Sequence, residues 1–189
     1  MPISQIGTNA IENGSIVTAD IAAGAVALAT QVSGTLPVAN GGTGLTAAGP
    51  AFSATSNSYQ TGIPTATFTK CALSVEQFDT ASCFNNTGST VGSIPAYAFL
   101  PTTAGYYIIT GTVTDNNTGS PTRLIGKIYK NGSGYYYTGG DVVTGYNTTG
   151  TAVIYFNGTT DYVELYVYIA AGGATAIESM MTGCFLRGA

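Results

Sequence analysis

The chain has 189 residues and a net charge of -4, with only 7 % charged residues and no histidine or tryptophan; ordinary globular chains carry about 25 % charged residues. Five basic residues cannot build the phosphate-contacting stripe that nucleic-acid binding needs. The missing imidazole removes Ser/His/Asp and Cys/His catalysis and the commonest metal ligand.

Residues 1–49 hold two charges, Glu12 and Asp20, and no aromatic side chain. Ile6, Ile11, Ile16, Ile21 and Val26 recur every five positions among Gly, Asn, Ser, Thr and Ala. That step matches neither the helix period of 3.6 nor the strand period of 2. It predicts a short-repeat strip with one apolar residue per unit. Such a strip makes a core only when several chains set theirs around a common axis. A flexible linker is the alternative. The most apolar run, residues 21–29, is far short of the roughly 20 residues that span a bilayer. No basic segment precedes it, so neither membrane insertion nor a secretory signal is expected.

The connector, residues 36–49, contains Asn40-Gly41-Gly42-Thr43-Gly44, whose glycines supply the positive φ of a tight reversal. The stretch Leu36-Pro37-Val38-Ala39-Asn40-Gly41-Gly42-Thr43-Gly44 closely resembles one that recurs in bacteriophage tail-fibre and related virion-fibre proteins. The preceding Ile-x-x-x-x-Ile repeat is similar to segments of the same proteins.

Residues 50–189 read as all-β. Val163, Leu165, Val167 and Ile169 share one face of a strand, with Glu164 and Tyr162, Tyr166 and Tyr168 on the other. Leu124, Gly126 and Ile128 alternate with Arg123, Lys127 and Tyr129, and Tyr107, Ile109, Gly111 and Val113 form a third face. Asn116-Asn117-Thr118-Gly119, Asn131-Gly132 and Asn157-Gly158 mark turns. Many short strands at this spacing predict a β-sandwich or jelly roll.

The same region resembles the C1q-like (C1q/TNF superfamily) globular domain. The matching pieces, in order, are Ala51-Phe52-Ser53-Ala54, the strand-opening Phe78-Asp79, and Phe99 followed by Gly105-Tyr106-Tyr107. Then come Tyr129-Lys130-Asn131-Gly132, Asp161-Tyr162-Val163-Glu164-Leu165 and Gly183-Cys184-Phe185-Leu186. Ala104 stands where the family has Pro, Ile109 where it has Phe, and Cys184 is extra. The resemblance implies a ten-stranded jelly roll that assembles as a homotrimer. Low charge agrees, since a lone domain of this composition would expose apolar patches and strand edges. The domains expected are an anchor or shaft (1–35), a connector (36–49) and a jelly-roll head (50–189).

Little catalytic chemistry is visible. Asp161/Glu164 and Glu76/Asp79 are the nearest carboxylate pairs, and on strands their three-residue spacing sends them to opposite faces, unlike a glycosidase pair. They are expected to be solvated, and the chain is expected not to be an enzyme. Cys71, Cys83 and Cys184 are expected to be buried free thiols. Asp79, Asp115, Asp141 and Asp161 are oxygen donors without a calcium loop, so no metal or other cofactor is assigned. The Asn-x-Ser/Thr triplets at Asn85, Asn116, Asn131, Asn147 and Asn157 reflect an Asn/Thr-rich chain.

The receptor-binding candidates are Asn131, Tyr135, Tyr136 and Tyr137. Flat rings beside hydrogen-bonding neighbours suit a carbohydrate or protein surface; packing of these tyrosines in a trimer interface is the plainer alternative. The expected function is a virion fibre, a tail fibre first and a head-attached spike or trimer cap second. It would be assembled in the host cytoplasm. The head would contact a host glycan or protein, and Ile6, Ile11, Ile16, Ile21 and Val26 would serve trimerisation and attachment to a baseplate, tail or capsid protein.

Overall fold

The computed structural model describes residues 49–115, 121–139, 147–170 and 176–188, together with Val17 and Ala19. The repeat at Ile6, Ile11, Ile16, Ile21 and Val26, the connector before Gly49, the turn at residues 116–119 and Asp141 lie outside the described residues.

Eleven strands run through the described part: β1 (Ala51–Thr55), β2 (Gln60–Thr61), β3 (Thr69–Lys70), β4 (Val75–Asp79), β5 (Ala98–Phe99), β6 (Gly105–Asp115), β7 (Arg123–Lys130), β8 (Ser133–Tyr137), β9 (Asn147–Phe156), β10 (Val163–Ala170) and β11 (Ala176–Arg187). They form two sheets. The first has the order β4-β1-β11-β6-β9 with β2 added to β11; the second is β3-β10-β7-β8 with β5 added to β10. The strand pairings are antiparallel. The jelly-roll expectation holds, with one strand more than the ten implied. The two-residue strands β2 and β3 lie on one crossing between the sheets.

Alternation decides what goes inside. In β6, Tyr107, Ile109 and Val113 are fully buried; in β10, Val163, Leu165, Val167 and Ile169 are. Full burial of such side chains is worth about 1.5–3 kcal/mol each. The two sheets are tied by aromatic rings. Phe52 of β1 stacks on Phe99 of β5 at 4.2 Å and on Phe84 at 5.1 Å. Tyr107 and Phe156 meet Phe99 edge-on at 5.8 and 6.0 Å. The buried Tyr107 hydroxyl donates to the Thr103 carbonyl at 2.8 Å, so no polar atom is stranded there.

At the opposite margin the sheets close on one another beside β8 and β9. Thr138 and Thr148 hydroxyls share a hydrogen bond of 3.2 Å. A Cβ on Gly150 would lie 2.5 Å from the Thr138 Cα and 2.6 Å from its carbonyl oxygen, so only glycine permits this approach.

Three expectations need correction. Phe78-Asp79 closes β4 instead of opening a strand: the Asp79 carboxylate turns the chain by accepting the Ala81 N–H at 3.1 Å and the Phe84 N–H at 2.6 Å. Cys71 and Cys83 are buried free thiols, but Cys184 is exposed, because Gly183, and not Cys184, is the inward position of β11. Glu164 is not solvated; it is 3 % exposed and ion-paired, as described below.

Two substitutions test this packing. Phe99→Ala is expected to cost about 3–5 kcal/mol by leaving a cavity beside the rings of Phe52, Tyr107 and Phe156. Gly150→Ala is expected to cost about 1–3 kcal/mol by forcing the seam apart. Denaturant midpoints of the purified variants read both.

Candidate functional site

The outward side of the second sheet gathers aromatic rings and cations. Arg123, Ile125, Lys127 and Tyr129 point outward from β7 because Leu124, Gly126 and Ile128 fill the inside. Register places Tyr129 opposite Glu164, Lys127 opposite Tyr166 and Ile125 opposite Tyr168. Tyr129 and Tyr166 stack at 3.9 Å with ring planes 24° apart. Phe68, just before β3, lies 5.3 Å from the Tyr168 ring and 6.0 Å from that of Tyr129.

The Lys127 ammonium sits over three rings, 4.2 Å from the Tyr137 centroid, 5.4 Å from Phe68 and 5.9 Å from Tyr129. The Arg123 guanidinium is 5.4 Å from the Tyr168 ring. Such contacts hold cations in place at about 0.5–2 kcal/mol each. Lys70 and Lys130 are engaged differently. Lys70 Nζ pairs with Glu164 at 2.5 Å and donates to the Ala96 carbonyl at 3.3 Å. Lys130 Nζ pairs with Asp161 at 3.1 Å and donates to the Tyr155 carbonyl at 2.8 Å. Asp161 and Glu164 are therefore held by different lysines.

The β7–β8 hairpin places the candidate tyrosines. Asn131 and Gly132 turn it with φ of 52° and 75°, the left-handed pair that a two-residue reversal requires. The Asn131 amide donates to Asp161 at 2.8 Å and its carbonyl oxygen accepts the Tyr162 N–H at 3.0 Å. Both polar ends of this candidate are thus engaged within the chain, in bracing the hairpin. Tyr135, Tyr136 and Tyr137 are 52, 40 and 54 % exposed. Register shifts between Ile128 and Tyr129, so Tyr135 falls in a bulge while Tyr136 faces Ile128 and Tyr137 faces Lys127. Beside them opens a groove of about 480 Å³, lined by Arg123, Ile125, Tyr136, Tyr137, Thr138 and Thr149 among others.

Two phenols on this face keep their protons. Burial and then the Glu164 carboxylate push Tyr166 up to about 12 and raise Tyr162 as well. Asp161 moves the other way: burial raises it, but hydrogen bonds from Asn131, Lys130 and the Asn157 N–H outweigh this and lower it. Among the described residues no group of three His, Cys, Asp or Glu could hold a metal ion. Asn85, which begins one of the glycosylation-type triplets, is buried and donates to the carbonyls of Ser89, Ile94 and Pro95.

Sequence reasoning singled out the Tyr135–Tyr137 run but not Phe68, Lys70, Arg123, Lys127, Tyr129, Tyr166 and Tyr168 as part of one surface. Alternation had put the last five on outward faces. What it lacked was the knowledge that β7 lies between β8 and β10.

The outward side of the first sheet has a different character. Three consecutive rows across it carry no charge: Val153-Ile108-Cys184-Ala51, Thr151-Thr110-Thr182-Ser53 and Thr149-Thr112-Met180-Thr55. Threonine hydroxyls pair across β6 and β9 at 2.8 and 3.0 Å. Val153 and Leu186 are 55 and 48 % exposed.

This arrangement is similar to the globular domain of zebrafish complement 1qA protein, with 14 % identity over 74 % of this chain and 99 % of that one, at a TM-score of 0.51. The fold is a C1q-like jelly roll. PRD1 vertex protein P5 is 19 % identical over 74 % of this chain and 99 % of that one, at a TM-score of 0.49. Rabbit GITRL is 16 % identical over 53 % and 80 %, at 0.36. No protein-family model matches the sequence, and no curated protein matches it.

The Asp161 network predicts an acid-sensitive contribution to stability. A carboxylate whose folded value is lowered from 3.8 stabilises the fold fully above that value and loses the contribution as pH falls through the folded value. The difference in melting temperature between the natural chain and Asp161→Asn is therefore expected to be largest near neutral pH and to shrink below about pH 4.

Proposed function

We propose that the chain is the subunit of a trimeric, non-enzymatic virion fibre, whose jelly-roll head contacts the host surface and whose N-terminal segment attaches to the particle. The observation that carries this reading is the contrast between the outward faces. One has three consecutive uncharged rows between Glu178 and Arg187 and carries exposed Val153, Met180 and Leu186. The other presents tyrosines and a lysine beside an open groove. An uncharged sheet face with apolar side chains gains by covering itself with copies of the same chain. The tyrosine face then stays outside, available to a partner.

The fibre assignment rests on sequence. Residues 36–44 resemble the connector of bacteriophage fibre proteins, and Ile6, Ile11, Ile16, Ile21 and Val26 supply a strip suited to parallel assembly. Attachment would then work by avidity: three weak sites on one head, repeated over several fibres, bind tightly because each later contact is intramolecular. The non-enzymatic reading is supported by the carboxylates, since Asp161 and Glu164 are each neutralised by a separate lysine. The tail is the first expected location.

The full-length chain is expected to show three times its monomer mass by light scattering. Val153→Glu is expected to lower that mass by placing charge in the uncharged rows. Cys184 reports the same face: it resists maleimide in the assembled chain and reacts in the Val153→Glu variant, with circular dichroism confirming that the variant remains folded. A monomeric full-length chain, or Cys184 reacting equally in both, overturns the self-association. Replacing Tyr135, Tyr136 and Tyr137 together by Ser is expected to leave the trimer intact and abolish adsorption to host cells. Intact trimers that never adsorb would instead make the head a trimer cap.

A further inference from the structure

We infer that the groove beside β8 takes an acidic saccharide, with a sugar ring against Tyr137 on the side that Lys127 leaves open and a carboxylate reaching Lys127 at the groove's margin; this rests on the recognition role proposed for the tyrosines. Of the lysines, Lys70 and Lys130 have carboxylate partners. Lys127 has none among the described residues; its ammonium is held only against the rings of Tyr137, Phe68 and Tyr129. Ring faces fix the position of a cation without neutralising it, so the charge remains available to an incoming anion.

The surroundings favour a sugar. The groove of about 480 Å³ is lined by Arg123, Ile125, Tyr136, Tyr137, Thr138 and Thr149 with two glycines, and Lys127 stands next to it against the Tyr137 ring. Flat rings beside hydroxyl groups match the apolar faces and hydroxyl rims of pyranoses. An added peptide strand would need a regular row of backbone groups along β8. The bulge at Tyr135 interrupts that row.

Direct binding to the full-length protein tests the inference. The probes are oligogalacturonate and oligosialate, each beside its methyl ester as a neutral copy of the same sugar. At least one acid form is expected to bind about tenfold or more tightly than its ester, the gain of one charge-assisted hydrogen bond. Added salt should erode that preference. Lys127→Gln is expected to bring the acid down to the level of its ester, and Lys127→Arg to keep the preference. Tyr137→Ala is expected to weaken acid and ester together. Equal binding of acid and ester, or no binding of either acid, overturns the inference. If the tyrosine variant still abolishes cell adsorption in that case, the recognition reading survives and only the ligand class fails; if the natural chain adsorbs to no cells, both fail.

Discussion

The stack of Phe84, Phe52 and Phe99, crossed edge-on by Tyr107 and Phe156, is the contact on which the rest of the molecule depends. Phe52, Tyr107 and Phe156 come from the first sheet, Phe99 from the second, and Phe84 from the segment between β4 and β5. The rings must be inside for alternation to send their neighbours outward. Once they are, Tyr106, Ile108 and Tyr155 have no option but the outer side of the first sheet, and the functional faces follow from the packing of the core.

Scarcity of charge makes each charge informative. With five basic side chains in the chain, two braces consume two lysines. Lys70–Glu164 ties β3 to β10, and Lys130–Asp161 ties the end of β7 to the approach to β10. Removing one partner of the first would leave a buried carboxylate alone, which is costlier than never having built the pair. These contacts fix the sheet on which Lys127 and the tyrosines are displayed. Such rigidity would suit the proposed recognition, because a preordered surface loses little entropy when it binds.

The opposite sheet solves another problem. An isolated jelly roll leaves β9 and β4 as edges of the first sheet, and uncharged rows beside them favour association. The self-association proposed above would turn that hazard into assembly. It would also account for the few charges, because a surface covered by copies of itself does not need charge for solubility. The exposed Cys184 lies in the middle of an uncharged row, whereas Cys71 is fully buried and raised to about 12 by burial.

Much was legible from residue order alone. Period-two alternation in residues 105–113, 124–129 and 163–169 identified the inward set, because a strand has only two sides and apolar side chains gain by taking one. Asn131-Gly132 announced its hairpin, because left-handed backbone costs least at those residues. Which strands lie side by side was not legible, since pairing is settled by packing between segments far apart in sequence. Glu164 meets Lys70 across 94 residues, so a carboxylate that looked solvated is buried. Lys127 gains its rings from β3's approach, β7 and β8 together, and Cys184 loses its expected cover because Gly183 takes the inward place. Residue order alone sets the strands, their turns and the composition of each face. Which faces join into one surface is settled on folding, because that depends on register and neighbourhood, which no local pattern carries.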